Sequence, residues 1–146
     1  MKIIKAISIE ELKKQIKNAE KPIIVETSNN ELSRKVLENN LCNILILAET
    51  NTINNNLRQI DSGLNEILGR IAEKNNISIG INLDQITILT KNKKAEKISK
   101  IIQNIKICKK TKTKIKILNY TDKNATLCLL RKLGASSKQA SEAILF

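Results

Sequence analysis

Strand-like and helix-period segments alternate about five times along this chain, and no other feature limits its fold as strongly. Residues 3–7 are a short apolar run, read as a strand. Ser8-Ile9-Glu10-Glu11 is a capping box, and Leu12, Ile16 and Ala19 give the helix behind it a buried stripe. Pro22 can begin a strand, which Ile23, Ile24 and Val25 continue. Ser28 and Glu31 read as a second capping box, ahead of a short helix carried by Leu32, Val36 and Leu37. Residues 43–48, NILILA, are apolar on both faces, as at the middle of a parallel sheet. Such alternation is the signature of βαβ units with right-handed crossovers. The expectation is an α/β fold with a mostly parallel sheet, in a single domain over residues 1–146.

The centre of the chain is residues 61–83, DSGLNEILGRIAEKNNISIGINL. Asp61 or Ser62 can cap a helix by accepting its unpaired backbone N–H groups. Leu64, Ile67, Leu68, Ile71 and Ala72 then make one apolar stripe on a 3.6-residue period. Asn65, Glu66, Arg70, Glu73 and Lys74 take the other face, with Glu66 four residues before Arg70, the favourable order for a surface pair. Asn75-Asn76 ends the helix, because Asn tolerates the left-handed conformation, and Ile77, Ile79, Ile81 and Leu83 follow as a strand. Before this unit, residues 49–60 (ETNTINNNLRQI) read as a polar loop of a length that is often functional. After it, residues 84–92 fit either a helical turn or a strand. Residues 93–110 predict a helix with Ala95, Ile98, Ile101, Ile102, Ile105 and Cys108 in its stripe and Lys97, Lys100 and Lys109 towards its outer face. In residues 113–119, Lys114 and Lys116 alternate with Ile115 and Ile117, which suits a strand near a sheet edge. Asp122 or Asn124 caps a helix through Leu127, Leu130, Arg131 and Leu133, stopped by Gly134. Ser136-Ser137-Lys138-Gln139 opens a last helix.

The central stretch closely resembles the motif of archaeal RNase P protein component 3 and its human counterpart. Asp61, Ser62, Gly63, Leu64, Asn65, Leu68, Arg70 and Ala72 match; Glu66 stands where the family often has His, and Gly69 where it has Ala. Residues 23–43, 98–118 and 127–144 also look like the family's segments around that motif. Most of the chain can thus be laid on the latter two-thirds of the family. The resemblance implies a TIM-type (β/α) barrel of the polymerase-histidinol-phosphatase kind. The family's opening βα units have no counterpart in this sequence. At about 25–30 residues per unit there is room for five or six of the eight, so the expectation is a reduced, incomplete barrel or open sheet with edges to be covered. The resemblance further implies a non-catalytic subunit of ribonuclease P, whose RNA subunit removes the 5′ leader from precursor tRNA with Mg²⁺. Its partners would be the RNase P RNA, RNase P protein component 2 in a heterotetramer and, indirectly, precursor tRNA. No cofactor would be bound by the chain itself.

Charge and missing residue types point the same way. Lys and Arg number 26 against 14 Asp and Glu, a net charge of +12, which suits a polyanionic partner. Lys, Asn and Ile are also what an A/T-rich genome imposes, so part of this charge has a compositional explanation. With no His, the usual Ser/His and Cys/His machinery is excluded, and Cys42, Cys108 and Cys128 lack zinc-ligand spacing. The three cysteines read as buried thiols in a reducing cytosol. No run approaches a membrane span, and the first residues lack signal-peptide shape, so the expected location is cytoplasmic. With only Tyr120 and Phe146 aromatic, stacking on unpaired bases is poorly served. Folded RNA approached through its phosphates fits better.

The candidate RNA- or partner-binding residues are Arg58, Asp61, Ser62, Asn65, Arg70, Lys74, Lys109 and Lys110. Arg70 lies in the family motif, Arg58 close to its basic position, and an Arg can fork to phosphate oxygens. Lys109, Lys110, Lys112 and Lys114 form a run that could track a backbone. Each has a plainer reading beside it: Arg70 pairs with Glu66 on a solvated helix, Asp61 is a cap, Asn65 is surface, and the lysine run is solvated. No catalytic or metal-ligating residue is assigned. Two other functions compete with the subunit reading. One is a stand-alone basic RNA-binding protein of the ribosome-associated kind. The other is a degenerate metal-dependent phosphoesterase using Glu26, Glu49, Asp61, Asn82, Asp84, Asn119 or Asp122 at strand ends, where Mg²⁺ takes oxygen ligands; such residues are also ordinary turn and cap formers.

Overall fold

The computed structural model describes residues 2–27, 29–47 and 62–144. In chain order these form β1 (Ile3–Ala6), α1 (Ile9–Ile16), β2 (Ile24–Thr27), α2 (Asn30–Glu38) and β3 (Ile44–Ile46). The chain continues with α3 (Glu66–Lys74), β4 (Ser78–Asn82), α4 (Asp84–Thr87), α5 (Lys91–Thr111), β5 (Ile115–Leu118), α6 (Lys123–Lys132) and α7 (Ser137–Ile144). The ambiguous residues 84–92 thus resolve as one short helix and the entry to α5.

The strands form one parallel sheet in the order β1-β2-β3-β4-β5. Each crossover moves one place in the same direction. Right-handed crossovers of that kind keep their helices on one face, giving the wall of a (β/α) barrel. Among the described residues no strand closes the ring from β5 back to β1, so they form an open, partial barrel, as expected from the number of βα units the length allows. Beside the outer strand β1 runs an open groove of about 1100 Å³, between its N-terminal half and the end of α1.

Both faces of the sheet are apolar. Towards the helices, Ile4, Val25, Leu45, Ile79, Ile81 and Ile117 join Leu12, Val36, Leu68, Ala72, Ile101 and Ile105 in the main core. On the other face Ile24, Ile44, Ile46 and Leu118 form a second buried cluster, with Ile3 against it. Burying one such side chain stabilises by about 1.5–3 kcal/mol, so this wall supplies much of the stability. Gly80 belongs to the second face. A Cβ there would lie 2.7 Å from Ile44 Cγ2 and 3.1 Å from Ile46 Cγ1, so the bare position on β4 makes room for both of these β3 side chains. Asn43 ties the strand starts together: its side-chain oxygen accepts from Ile23 N at 2.8 Å and its carbonyl from Ser78 N at 2.9 Å.

Helix ends follow local chemistry. Ser8 caps α1 by accepting from Glu11 N, and Asp122 caps α6 by accepting from Asn124 N and Ala125 N. Ser136 and Gln139 exchange two hydrogen bonds at the start of α7, the capping box in full. At Asn40 (φ 52°), Asn76 (φ 55°) and Gly134 (φ 104°) the chain turns left-handed and the next residue bonds back into the helix, the αL stop.

Several expectations are corrected. The cap of α3 is Asn65, whose Oδ1 accepts from Leu68 N at 2.9 Å, rather than Asp61 or Ser62. Gly63 has φ 82°, a conformation no helix continues through, so the helix starts after it. Asp61 itself lies outside the described residues. The cap of α2 is Asn29, accepting from Leu32 N, rather than Ser28. Ile67 leaves the buried stripe and is 63% exposed. Ala95 and Ile102 are exposed, whereas Lys100 is buried and paired with Glu96 at 3.7 Å. Cys128 is exposed; Cys42 and Cys108 are buried, and desolvation pushes their thiols up to about 12.

Candidate nucleic-acid interface

Part of the predicted binding set, Arg70 and Lys110 with Lys74 on the same helix face as Arg70, comes together where α3 crosses the C-terminal end of α5. The crossing is close because position 69 has no side chain. A Cβ on Gly69 would sit 2.8 Å from Thr111 Oγ1 and 3.0 Å from Thr111 Cγ2. Thr111 and Thr113 line this contact. Thr113 Oγ1 reaches Gly69 O at 2.7 Å, Thr111 Oγ1 reaches Ile107 O at 3.0 Å, and the two hydroxyls are 2.7 Å apart. Two hydroxyl hydrogens serve three contacts, so two of the three are hydrogen bonds at any moment. This short polar network fixes α3 against α5.

The crossing brings a carboxylate to the lysines. Lys110 Nζ donates to Glu66 Oε1 at 2.5 Å, and Arg70 Nη2 lies 3.9 Å from Glu66 Oε2. The hydrogen bond from Lys110 holds the Glu66 carboxyl below the usual carboxylate range, and the charges of Lys110 and Arg70 add to this against some desolvation. Arg70 and Lys110 stay 71% and 65% exposed. Arg70 and Lys74 are four apart and share the outer face of α3 with Ile67. Lys109 turns the other way, its Nζ 3.4 Å from Gly134 O at the end of α6. Lys112 stands in the left-handed region (φ 61°) at the end of α5, and Lys114 is exposed just before β5. Residues 97–121 hold eight lysines and no acidic residue, so Glu66 brings a negative charge to them from another element.

Of the predicted site residues, Arg70, Lys74 and Lys110 share this surface, and Lys109 points away from it towards α6. Asn65 is exposed beside it, with its side-chain oxygen committed to capping α3. Ser62 is not on the surface: it is buried, its N–H donates to Gln103 Oε1 at 3.1 Å and its hydroxyl accepts from Leu64 N. Arg58 and Asp61 lie outside the described residues. Sequence reasoning missed Thr111, Thr113 and the link from Glu66 to Lys110, because all three depend on residues 40 or more positions apart meeting in space. The one legible trace was Gly69 inside an otherwise well-formed helix.

The polar groups at the strand ends bond to one another. Asn82 Oδ1 accepts from Asn119 Nδ2 at 3.0 Å and from Asp84 N at 3.2 Å, and Gln85 Nε2 donates to Glu26 Oε1 at 3.3 Å. On the outer strand β5, Lys116 donates to Glu142 O at 2.7 Å; burial, then the charge of Lys114, lower its pKa. Among the described residues no helix is long and apolar enough to cross a membrane.

Comparison with known proteins agrees with this reading of the fold. No family model matches the chain. The ribonuclease P protein component 3 of Methanococcus vannielii is 30% identical over 112 residues, which cover 75% of this chain and 44% of that protein. A cryo-EM structure of archaeal ribonuclease P with mature tRNA contains a chain that matches at a TM-score of 0.77 and 20% identity, over 97% of this chain and 62% of that one. The structural likeness shows a shared fold, the partial barrel. This chain spans less than half the length of its curated relative. Over the span that aligns, it is a relative of ribonuclease P protein component 3.

Proposed function

We propose that this chain is a non-catalytic protein subunit of ribonuclease P. The observation that carries the proposal is the cationic face of α3 and the end of α5, where Arg70, Lys74 and Lys110 stand at the stretch that resembles the component 3 motif. Cations on such a surface neutralise phosphates and release counterions, which gives affinity without reading bases. The chain would hold the catalytic domain of the RNase P RNA in its active shape. Cleavage of the 5′ leader would stay with that RNA and its Mg²⁺. Component 2 is the protein partner this reading implies, precursor tRNA is met indirectly, and the cytoplasm is the setting.

The test is reconstitution. Precursor-tRNA cleavage by the cognate RNA and component 2 is followed at limiting Mg²⁺, with and without this chain. The proposal expects cleavage to rise and the Mg²⁺ requirement to fall. A chain that neither binds component 2 nor alters cleavage, yet retains general RNA affinity, would be a stand-alone basic RNA-binding protein instead.

A further inference from the structure

Glu66 is out of place on a surface built to meet phosphate. Its two carboxylate oxygens serve two different cations, Lys110 closely and Arg70 loosely. The two non-bridging oxygens of a phosphodiester would take the same seats. All three side chains are substantially exposed, so an incoming phosphate can reach the pair without opening the fold. Gly69 and the Thr111–Thr113 network set this geometry from below, so the carboxylate is delivered there by the helix crossing.

We propose that Glu66 is a built-in competitor for RNA phosphate: in the free protein it holds Lys110 and offsets its charge, and RNA phosphate gains the full charge of that lysine only by displacing the carboxylate. This deepens the ribonuclease P reading and rests on it. The two cations then behave differently. At 3.9 Å the Arg70 contact is longer than a hydrogen bond, and its fork keeps donors for a phosphate while Glu66 stays in place. Lys110 keeps two N–H donors, but its ammonium is a compact point charge already offset by the carboxylate it touches. Arg70 therefore contributes to RNA binding whether or not residue 66 is charged, and Lys110 contributes fully only when it is not. Glu66 sets how tightly and how salt-sensitively the subunit holds its RNA.

The experiment is a cycle of Glu66→Gln, Lys110→Gln, the double variant and Arg70→Ala. Each is titrated with folded RNase P RNA across a salt series, with thermal unfolding as the check on folding. Glu66→Gln should bind about 5-fold more tightly, with a salt slope steeper by about one, the signature of one added phosphate contact. Lys110→Gln should cost little in the native background and should cancel the gain in the Glu66→Gln background. Arg70→Ala should weaken both backgrounds alike. Unchanged affinity and slope for Glu66→Gln, in a protein that binds the RNA, overturns the competitor and leaves the subunit reading standing. A Glu66→Gln change that alters only binding to component 2 also overturns it, by making the pair a protein contact. Loss of RNA binding in every variant, the native protein included, overturns both.

Discussion

Helices α2 and α3 are built to one plan and used differently. Both span nine residues, both are capped by an Asn whose Oδ1 accepts an N–H three residues on, and both stop at a left-handed Asn. Their charges part company. On α2 the ion pairs close within the helix, Glu31 with Lys35 at 3.2 Å and Arg34 with Glu38 at 2.8 Å. On α3 the pair is open: Glu66 reaches past Arg70 to Lys110 on another helix. The fourth helical position explains how. In α2 it is Ser33, whose hydroxyl turns inward to Thr27 and the Asn29 carbonyl. In α3 it is Gly69, and the vacant space admits Thr111. One missing side chain thus converts a self-contained surface helix into half of a two-helix cationic face.

The largest way to break this comparison is to fill that space. Gly69→Val should destabilise the protein by about 2–3 kcal/mol, because Thr111 is stiff at χ1 and overpacking a close contact costs about that much. Urea midpoints measure it, and Thr111→Ser in the same chain should recover part. Next come the caps. Asn29→Ala and Asn65→Ala should each cost about 1 kcal/mol; a large inequality between them would deny that the two helices share a plan.

Acid sharpens the comparison further, with a smaller effect. The carboxyl pKa of Glu66 is lowered in the folded protein from its usual 4.5. Its contribution is therefore complete above that unfolded value and is lost as pH falls through the lowered folded value. Urea midpoints between neutral pH and about pH 3 should fall less for Glu66→Gln than for the native chain. The exposure of this pair keeps the difference small. Equal pH profiles would mean that Lys110 does not hold Glu66 in solution.

Much of this was readable from residues alone, because α/β alternation is written in apolar periodicity. NILILA and ISIGI announce buried parallel strands, and Asn75-Asn76 and Gly134 announce helix stops. Boundaries failed where several capping residues crowd together. Asp61, Ser62 and Asn65 all qualify as caps; tertiary structure chose Asn65 by burying Ser62 against Gln103, 41 residues away. With Leu68, Gly69 and Ala72 as the buried residues of α3, Ile67 falls at the edge of the stripe and is exposed. The site was half legible. Arg70 and the lysine run could be named, but not that Glu66 would join them, since that contact spans 44 positions. Lys100 misled for a related reason: its place on the wheel beside Ile101 put it under cover, and the pair with Glu96 made that tolerable.

The most direct measurement sets the two helices against each other in reconstituted precursor-tRNA cleavage at limiting Mg²⁺. Arg34→Ala with Lys35→Ala disables the cations of α2; Arg70→Ala with Lys110→Ala disables those at the α3–α5 crossing. If the crossing is the RNA-facing surface, the first variant stimulates cleavage as the native chain does, and the second loses about 10-fold in the concentration needed, roughly 1.4 kcal/mol. Equal stimulation by both variants, or equal loss, would contradict the account.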